Sequence, residues 1–222
     1  MSTAQPAKQR PRKERKENAD KRRLQLLEAT LRSIVAHGLA KTTLATVANE
    51  AGLSQGVAVF YFKSKTGLLT ETLREQYQRY ERNWKSHLAN AGPDPLDRLV
   101  AIIEADFSPE ICNPELLSVW FAFWGEQKFT PQYAEISARF DKNRSQAICD
   151  ICRELAGESA DRNTDLIAEW IDTLTDGFWQ KLHLFPESMT REAAVSATVE
   201  LVAQLLPQHA ERLKRQRRGH VA

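Results

Sequence analysis

The sequence has few of the features of a secreted or membrane-embedded protein. Its three cysteines, Cys112, Cys149 and Cys152, are an odd number without the spacing of a disulfide framework. No stretch approaches the roughly 20 apolar residues that a membrane-spanning helix requires, and no apolar run near the start resembles a signal peptide. We therefore expect a cytoplasmic protein that makes no membrane contact.

The sequence also has no pattern of residues that would support catalysis. It contains neither a glycine-rich phosphate loop nor a His-Glu-x-x-His metal helix. Cys149 and Cys152 lie in a predicted helix without a second cysteine pair, which favours a place in the core over a zinc or redox site. The histidines are scattered, at His37, His87, His183, His209 and His220. We expect no enzyme, no catalytic residues, no cofactor and no metal ion.

The charge of the chain is unevenly distributed, although the net charge is only +2. Residues 8–23 contain nine basic and three acidic side chains, and residues 211–218 contain five basic and one acidic. The residues between them therefore sum to −8. A basic arm can neutralise DNA phosphates, whereas an acidic body is repelled by them. The alternative is a solvated charged segment, which is the favoured interpretation for the C-terminal tail.

Hydrophobic periodicity predicts an all-α chain, since apolar residues recur at intervals of three and four and no alternating strand pattern competes. We predict a basic flexible arm (1–20), a three-helix DNA-binding domain (21–66), a helical ligand-binding and dimerisation domain (67–210) that starts with a connecting helix (67–90), and a basic tail (211–222). The predicted helices are 21–37, 44–51, 55–62, 64–89, 96–107, 114–128, 133–155, 164–184 and 191–206.

Residues 44–62 have the pattern of a helix-turn-helix, in which two short helices cross around one sharp turn. Ala48 is small where the helices approach, and Gly52 permits a positive φ in the turn. The apolar seam is formed by Val47, Ala51, Leu53, Ala58 and Phe62. An unrelated helical hairpin is the alternative, but the preceding helix and basic arm favour DNA binding.

Two segments, Thr42-Thr-Leu-Ala-Thr-Val-Ala-Asn-Glu-Ala-Gly-Leu-Ser54 and Phe60-Tyr-Phe-Lys-Ser-Lys-Thr-Gly-Leu-Leu69, resemble the TetR family of bacterial repressors. The resemblance implies that residues 55–61 form the recognition helix in the major groove of operator DNA. Gln55 and Val57 become the base-reading residues, because Gln suits adenine and Val suits a thymine methyl. Gly56, which lies between them, is also assigned to the DNA-binding surface. A solvent-facing helix start is the alternative.

The same resemblance implies phosphate contacts from hydroxyl and ammonium groups near helix N-termini. These residues are Thr43, Ser54, Tyr61, Lys63 and Lys65. The sequence departs from the family at Val59 and Phe60, where many members have a phosphate-binding tyrosine; Phe60 has no hydroxyl group, and Tyr61 is the substitute. The basic arm is predicted to reach the adjacent minor groove.

Aromatic residues are dense in the second half of the chain. The segments Asp106-Phe-Ser-Pro-Glu110, Leu117-Ser-Val-Trp-Phe-Ala-Phe-Trp124 and Ile171-Asp-Thr-Leu-Thr-Asp-Gly-Phe-Trp179 resemble the choline-responsive BetI-type repressors of glycine betaine synthesis. That resemblance implies a quaternary ammonium ligand, which cannot donate a hydrogen bond and is held by aromatic faces within about 6 Å.

The predicted ligand-binding residues combine aromatic faces with carboxylates, and they are Phe107, Trp120, Phe123, Trp124, Asp172, Asp176 and Trp179. Asp106, Asp172 or Asp176 could balance the buried charge of the ligand. For any single tryptophan, a packed core position is equally compatible with the sequence. For Asp176, a structural hydrogen bond is the favoured alternative.

The last two predicted helices carry apolar stripes that resemble the four-helix dimer interface of the family. The stripes are Leu166, Ile167, Trp170, Ile171, Leu174 and Phe178, then Val195, Val199, Val202, Leu205 and Leu206. We predict a homodimeric repressor that binds an inverted-repeat operator and responds to choline. The alternatives are a regulator of the same family that responds to another cationic or amphipathic compound, and a ligand-independent DNA binder.

Overall fold

The computed structural model describes residues 12–157 and 162–213, and within these ranges the chain is helical and contains no β-strand. The helices are α1 (Arg12–Lys41), α2 (Leu44–Glu50), α3 (Gln55–Phe62), α4 (Lys65–Asn90), α5 (Pro95–Asp106), α6 (Pro114–Glu126), α7 (Pro131–Ala156), α8 (Arg162–Leu184) and α9 (Arg191–Leu205). Short 3-10 turns lie at Pro186–Ser188 and Pro207–His209. The prediction of an all-α fold is confirmed.

The chain divides into two compact units, Met1–Thr72 and Leu73–Ala222. Helix α4 begins in the first unit and ends in the second. This boundary lies six residues after the predicted division between residues 66 and 67, and Leu68 is fully buried in the core of the first unit.

Helix α1 begins at Arg12, nine residues before the predicted start at Lys21. Residues 12–20 of the predicted flexible arm are therefore helical, and residues 1–11 lie outside the described residues. Arginine, lysine, glutamate and alanine are strong helix formers, and extending an existing helix avoids the cost of nucleation. Gly38, with φ of 75°, interrupts the helix where the sequence predicts its end.

The first unit is built around the turn between α2 and α3. Thr43 caps α2 by accepting a hydrogen bond from the Thr46 N–H, and Gly52 has the positive φ, 63°, that the sequence predicts for the turn. The Leu53 N–H donates to the Ala48 carbonyl at 2.8 Å. The core beneath the turn consists of Leu26, Leu27, Ala29, Val47, Ala48, Ala51, Ala58, Phe62 and Leu68.

Helices of the second unit start at polar capping residues. The Asp94 carboxylate accepts from the Leu96 N–H at 2.9 Å, with Pro95 as the first residue of α5. Asn113 caps α6 in the same way, with Pro114 following it. Proline suits the first helical position because it has no N–H to leave unsatisfied, so these cap and proline pairs set the helix starts.

The core of the second unit lies where α7 packs against α5 and α8. Its fully buried isoleucines come from all three helices, and they are Ile102, Ile103, Ile148, Ile151 and Ile171. Helix α9 packs against α5 and α8. None of the helices in the described ranges is both long and apolar enough to cross a membrane.

The beginning of the predicted basic tail packs onto the second unit. Arg212 donates to the carboxylates of Asp94 and Asp97 at 2.7 and 2.8 Å, and Leu213 is fully buried. Arg212 and Leu213 therefore contact the second unit, because Leu213 gains from leaving water and Arg212 has acidic partners. Residues 214–222 lie outside the described residues.

Candidate functional site

Helix α3 has an outward and an inward side. The exposed residues lie along one side, and they are Gln55, Gly56, Val59 and Phe60. Val57 and Tyr61, four residues apart, are half-buried and pack against the core of the first unit. Gln55 thus has the outward position predicted for a base-reading residue. Val57 does not, because it is only partly exposed and packs against the core of the first unit.

The predicted phosphate-binding side chains differ in the hydrogen bonds that they already form within the protein. Ser54 is exposed and makes no side-chain capping bond, whereas the Thr43 hydroxyl serves the cap of α2. The Lys63 Nζ donates to the Phe60 carbonyl at 2.8 Å, and the Lys65 Nζ donates to the Ala40 carbonyl at 2.6 Å. Because an ammonium group has three N–H donors, both lysines keep donors for a phosphate.

At Gly67, shortly after the recognition helix, the backbone passes close to the carbonyl group of Phe62. A Cβ atom at this position would lie 2.2 Å from the carbonyl oxygen of Phe62. The Gly67 N–H donates to the Ser64 hydroxyl at 3.0 Å. Only glycine fits this approach. The glycine is visible in the sequence, at the end of the run Lys-Ser-Lys-Thr-Gly, but the sequence alone does not show which atom it approaches.

The second unit contains a cavity of about 140 Å³. An apolar cavity of about 150 Å³ accepts benzene, so a molecule of six or seven heavy atoms fits this space. The aromatic residues that line it are Tyr77, Tyr80, Trp120, Trp124 and Trp179. The charged residues that line it are Asp141, Arg144, Asp172 and Asp176.

Trp179 is at the centre of the aromatic wall. Its ring centroid lies 5.9 Å from that of Trp120, 6.1 Å from that of Trp124 and 5.8 Å from that of Tyr80. The planes of Trp124 and Trp179 are within 15° of parallel. Tyr77 meets Trp120 edge-on at 4.8 Å. These separations are typical of favourable ring pairs, so the wall is fixed by its own packing.

A buried ion-pair network supports the cavity. Arg144 donates to the carboxylates of Asp106 and Asp172, and its Nε lies 3.1 Å from Asp106 Oδ1. The Tyr80 hydroxyl donates to the same Asp106 oxygen at 2.7 Å, and the Trp179 indole N–H donates to the Asp106 carbonyl at 2.9 Å. Asp106 therefore fixes two of the aromatic side chains and the arginine in place.

The cavity contains more negative than positive charge. Asp141 and Asp176 form no ion pair within residues 12–157 and 162–213, and Arg144 is shared by Asp106 and Asp172. Burial raises the pKa of Asp176 to about 7 and that of Asp141 to about 6, and the charge of Asp172 adds to both shifts. Both side chains line the cavity and keep some access to solvent there. A bound cation would relieve this repulsion.

Five of the predicted ligand-binding residues line the cavity, and they are Trp120, Trp124, Asp172, Asp176 and Trp179. Phe107 and Phe123 do not, so these two assignments are corrected. Phe123 is fully buried against Tyr133, because it precedes Trp124 by one residue and so projects about 100° away from it. Phe107 follows the end of α5 and packs against Phe178 in the core.

Sequence reasoning did not assign Tyr77, Tyr80, Asp141 or Arg144 to the site. Arg144 had a usable signal, since it occupies a buried position on α7 four residues after Phe140 and four before Ile148. A charged residue on an apolar helix face requires a buried partner. Its partners come from α5 and α8, distant in sequence, so the sequence did not reveal them.

The cysteines contribute no reactive site. Cys152 is fully buried, and burial raises its pKa to about 12, so the thiol form predominates. The Cys149 thiol donates to the Asp165 carboxylate at 2.8 Å. In the part of the chain that the structure describes, no cluster of His, Cys, Asp or Glu is arranged to hold a metal ion.

Each of the two units contains a segment that matches a known protein family. Residues 26–72 match the family of bacterial regulatory proteins of the tetR type, and residues 95–207 match the C-terminal domain of BetI-type transcriptional repressors. The HTH-type transcriptional regulator BetI of Burkholderia mallei is 32% identical over 185 residues, which is 83% of this chain and 93% of the relative. BetI of Stenotrophomonas maltophilia is 32% identical over 158 residues, or 71% and 79%.

Solved structures share the fold. A putative transcriptional regulator from Pseudomonas aeruginosa has a TM-score of 0.78 at 28% identity, covering 87% of this chain and 94% of its own. A putative regulator from Saccharomonospora viridis in complex with choline has a TM-score of 0.72 at 21% identity, covering 82% and 96%.

The chain belongs to the TetR family of bacterial transcriptional regulators, which are DNA-binding proteins and not enzymes. Within that family it is a BetI-type repressor by its C-terminal domain.

Proposed function

We propose that this repressor binds an inverted-repeat operator as a homodimer in the cytoplasm and responds to choline, controlling genes of glycine betaine synthesis or uptake. The observation that carries the ligand assignment is the cavity, in which three tryptophan rings face an excess of carboxylates. A quaternary ammonium ion needs this combination, because aromatic faces and negative charge are the groups that can hold a cation without hydrogen-bond donors.

Two observations support choline among the small cations. The cavity volume of about 140 Å³ suits a molecule of choline's seven heavy atoms. The structural neighbour from Saccharomonospora viridis was solved with choline bound. The choline hydroxyl would also find acceptors, since carboxylates line the same space.

The homodimer is supported by an apolar stripe on α8. Leu166, Trp170 and Leu184 are exposed by 39%, 44% and 54%, and their spacing of four and fourteen residues places them on one side of the helix. Ile167, Ile171 and Phe178, which the sequence also assigned to the interface, are buried within the unit. Exposed apolar stripes of this kind are typical of subunit contacts.

Helix α4 provides the covalent route between ligand and DNA. It carries Tyr77 and Tyr80 into the cavity lining, and it starts at Lys65, directly after the recognition helix. We expect choline to bias the position of α4 through these two tyrosines and so to lower operator affinity.

A fluorescence titration tests the ligand. All five tryptophans lie in the second unit, and three of them line the cavity. A variant with Trp84→Phe and Trp170→Phe keeps only the cavity tryptophans. Choline is expected to change its emission saturably, betaine aldehyde similarly, and glycine betaine less because its carboxylate is repelled. A response only to other cationic or amphipathic compounds would favour a different effector, and no response would contradict the cavity assignment.

An operator-binding titration tests the DNA side. The region upstream of the coding sequence is the duplex to use, with a scrambled duplex of the same length as control. We expect a dimer to bind the first duplex preferentially and choline to weaken that binding. Equal affinity for both duplexes would contradict the proposed function.

A further inference from the structure

Phe60 is the most exposed large apolar side chain among the described residues of the first unit. Its residue is 68% exposed, and the neighbouring Val59 is 40% exposed. Both lie on the outward side of α3, together with Gln55 and Gly56. The recognition helix therefore presents an apolar patch, Val59 and Phe60, beside its polar start.

The orientation of the Phe60 ring is supported by two neighbours. The Lys63 Nζ lies 5.3 Å from the ring centroid, and the Tyr61 ring meets it edge-on at 5.2 Å. Tyr61 is in turn packed against the core of the first unit. A positive charge thus lies next to the apolar patch, and this charge is complementary to DNA phosphate.

DNA offers a specific apolar partner to such a patch. The 5-methyl group of thymine is the apolar group on the edges of the bases in the major groove, and phenylalanine is one of the side chains suited to it. Phe60 cannot form the phosphate hydrogen bond that a tyrosine would make, because it has no hydroxyl group. An apolar ring beside a cation fits a base edge next to the backbone better than it fits water.

We propose that the patch of Val59 and Phe60 reads thymine methyl groups in the operator, so that these two residues determine specificity together with Gln55. The proposal rests on the proposed function, since it requires α3 to enter the major groove. It assigns to Val59 and Phe60 the apolar readout that the sequence had assigned to Val57.

The experiment compares two versions of one duplex. A duplex is first selected by the parent protein from a random library, and it is then synthesised with uracil in place of every thymine, which removes the methyl groups and keeps the base pairing. Burial of one methyl group contributes about fourfold in affinity, so one contact in each half-site predicts about 15-fold weaker binding of the uracil duplex by a dimer.

Variants separate the methyl contact from other effects of uracil. Val59→Ala with Phe60→Ala is expected to bind the thymine duplex more weakly and to lose the preference for thymine over uracil. Phe60→Leu, which keeps an apolar side chain, is expected to retain part of that preference. Phe185→Ala, at a residue 61% exposed in the second unit, is the matched control and should behave as the parent. Circular dichroism confirms that each variant is folded.

The outcomes are distinguishable. If the parent selects a duplex but binds its uracil version equally well, or if the double alanine variant keeps the full preference, this inference is overturned while the proposed function stands. If the parent selects no duplex at all, the proposed function fails and the inference fails with it.

Discussion

Replacing Arg144 with methionine is expected to destabilise the second unit strongly, because Arg144 is the cation of a buried ion-pair network. Its side chain is 7% exposed and that of its partner Asp106 is 1% exposed. Methionine fills a similar volume but leaves the Asp106 carboxylate buried without a cation. Breaking a buried ion pair from one side typically costs about 3 to 5 kcal/mol. For a chain of this size, that corresponds to a fall in Tm of roughly 6 to 20 °C.

The loss should depend on pH, and its sign follows from Asp106. Burial raises the pKa of Asp106, and Arg144 opposes that rise. Without the arginine the folded-state pKa rises further above the unfolded value, so the variant is least destabilised at acid pH and loses stability as pH rises through the folded pKa. The difference from the parent should therefore be larger at neutral pH than under mildly acidic conditions.

Urea unfolding followed by tryptophan emission measures this effect, because all the tryptophans report on the second unit. Arg98→Met is the matched control, since Arg98 forms a half-exposed pair with Glu154 at 2.8 Å, and loss of such a pair costs under about 1 kcal/mol. Adding Asp106→Asn to Arg144→Met should recover much of the stability and reduce the pH dependence, which Asp172, Asp141 and Asp176 then carry alone. A loss no larger than that of the Arg98 control would refute the role given to the network.

Further predictions concern Gly67, Asp176 and Gln55. Gly67→Ala should destabilise the first unit by about 1 to 3 kcal/mol, because the new Cβ would lie 2.2 Å from the Phe62 carbonyl oxygen. Gly125→Ala is the control, because a Cβ atom there has open space. Thermal unfolding followed by circular dichroism compares the two variants, and equal stability would contradict the close approach at Gly67. Choline affinity measured by calorimetry should rise as pH increases through 6 and 7, because a cation favours ionised Asp176 and choline itself does not titrate. The Asp176→Asn variant should show a flatter pH profile. A flat pH profile for the parent protein would contradict a role of Asp176 in binding the cation. Gln55→Ala should reduce operator discrimination by about 1 to 3 kcal/mol, and unchanged discrimination in competition binding would exclude Gln55 from base reading.

The helix-turn-helix was predictable because its signals are local. Thr43 and Gly52 act within a few residues of their own positions, as an N-cap and as a residue with positive φ. The helices of the second unit that start at the cap and proline pairs of Asp94 and Asn113 begin within one residue of the predicted starts at 96 and 114. Trp120 and Trp124 could be assigned to one face because four residues make about one helical turn.

The remaining features depend on contacts between distant residues. The start of α1 could not be located because charged residues suit a helix and an arm equally well. The inward side of α3 could not be assigned because Val57 and Val59 are chemically alike and differ only in which one packs on the core. Arg144 meets Asp106 and Asp172 across 38 and 28 residues of sequence, and no local pattern links these positions.

Calorimetry with a matched pair of ligands tests most directly whether the cavity recognises a positive charge through aromatic faces. One ligand is choline, and the other is its uncharged isostere, in which a tert-butyl group replaces the trimethylammonium group. Each tryptophan face contributes roughly 0.5 to 2 kcal/mol to binding a cation, so three faces predict that choline binds at least about tenfold more tightly. Equal affinity for the two ligands would show that the cavity does not recognise the positive charge.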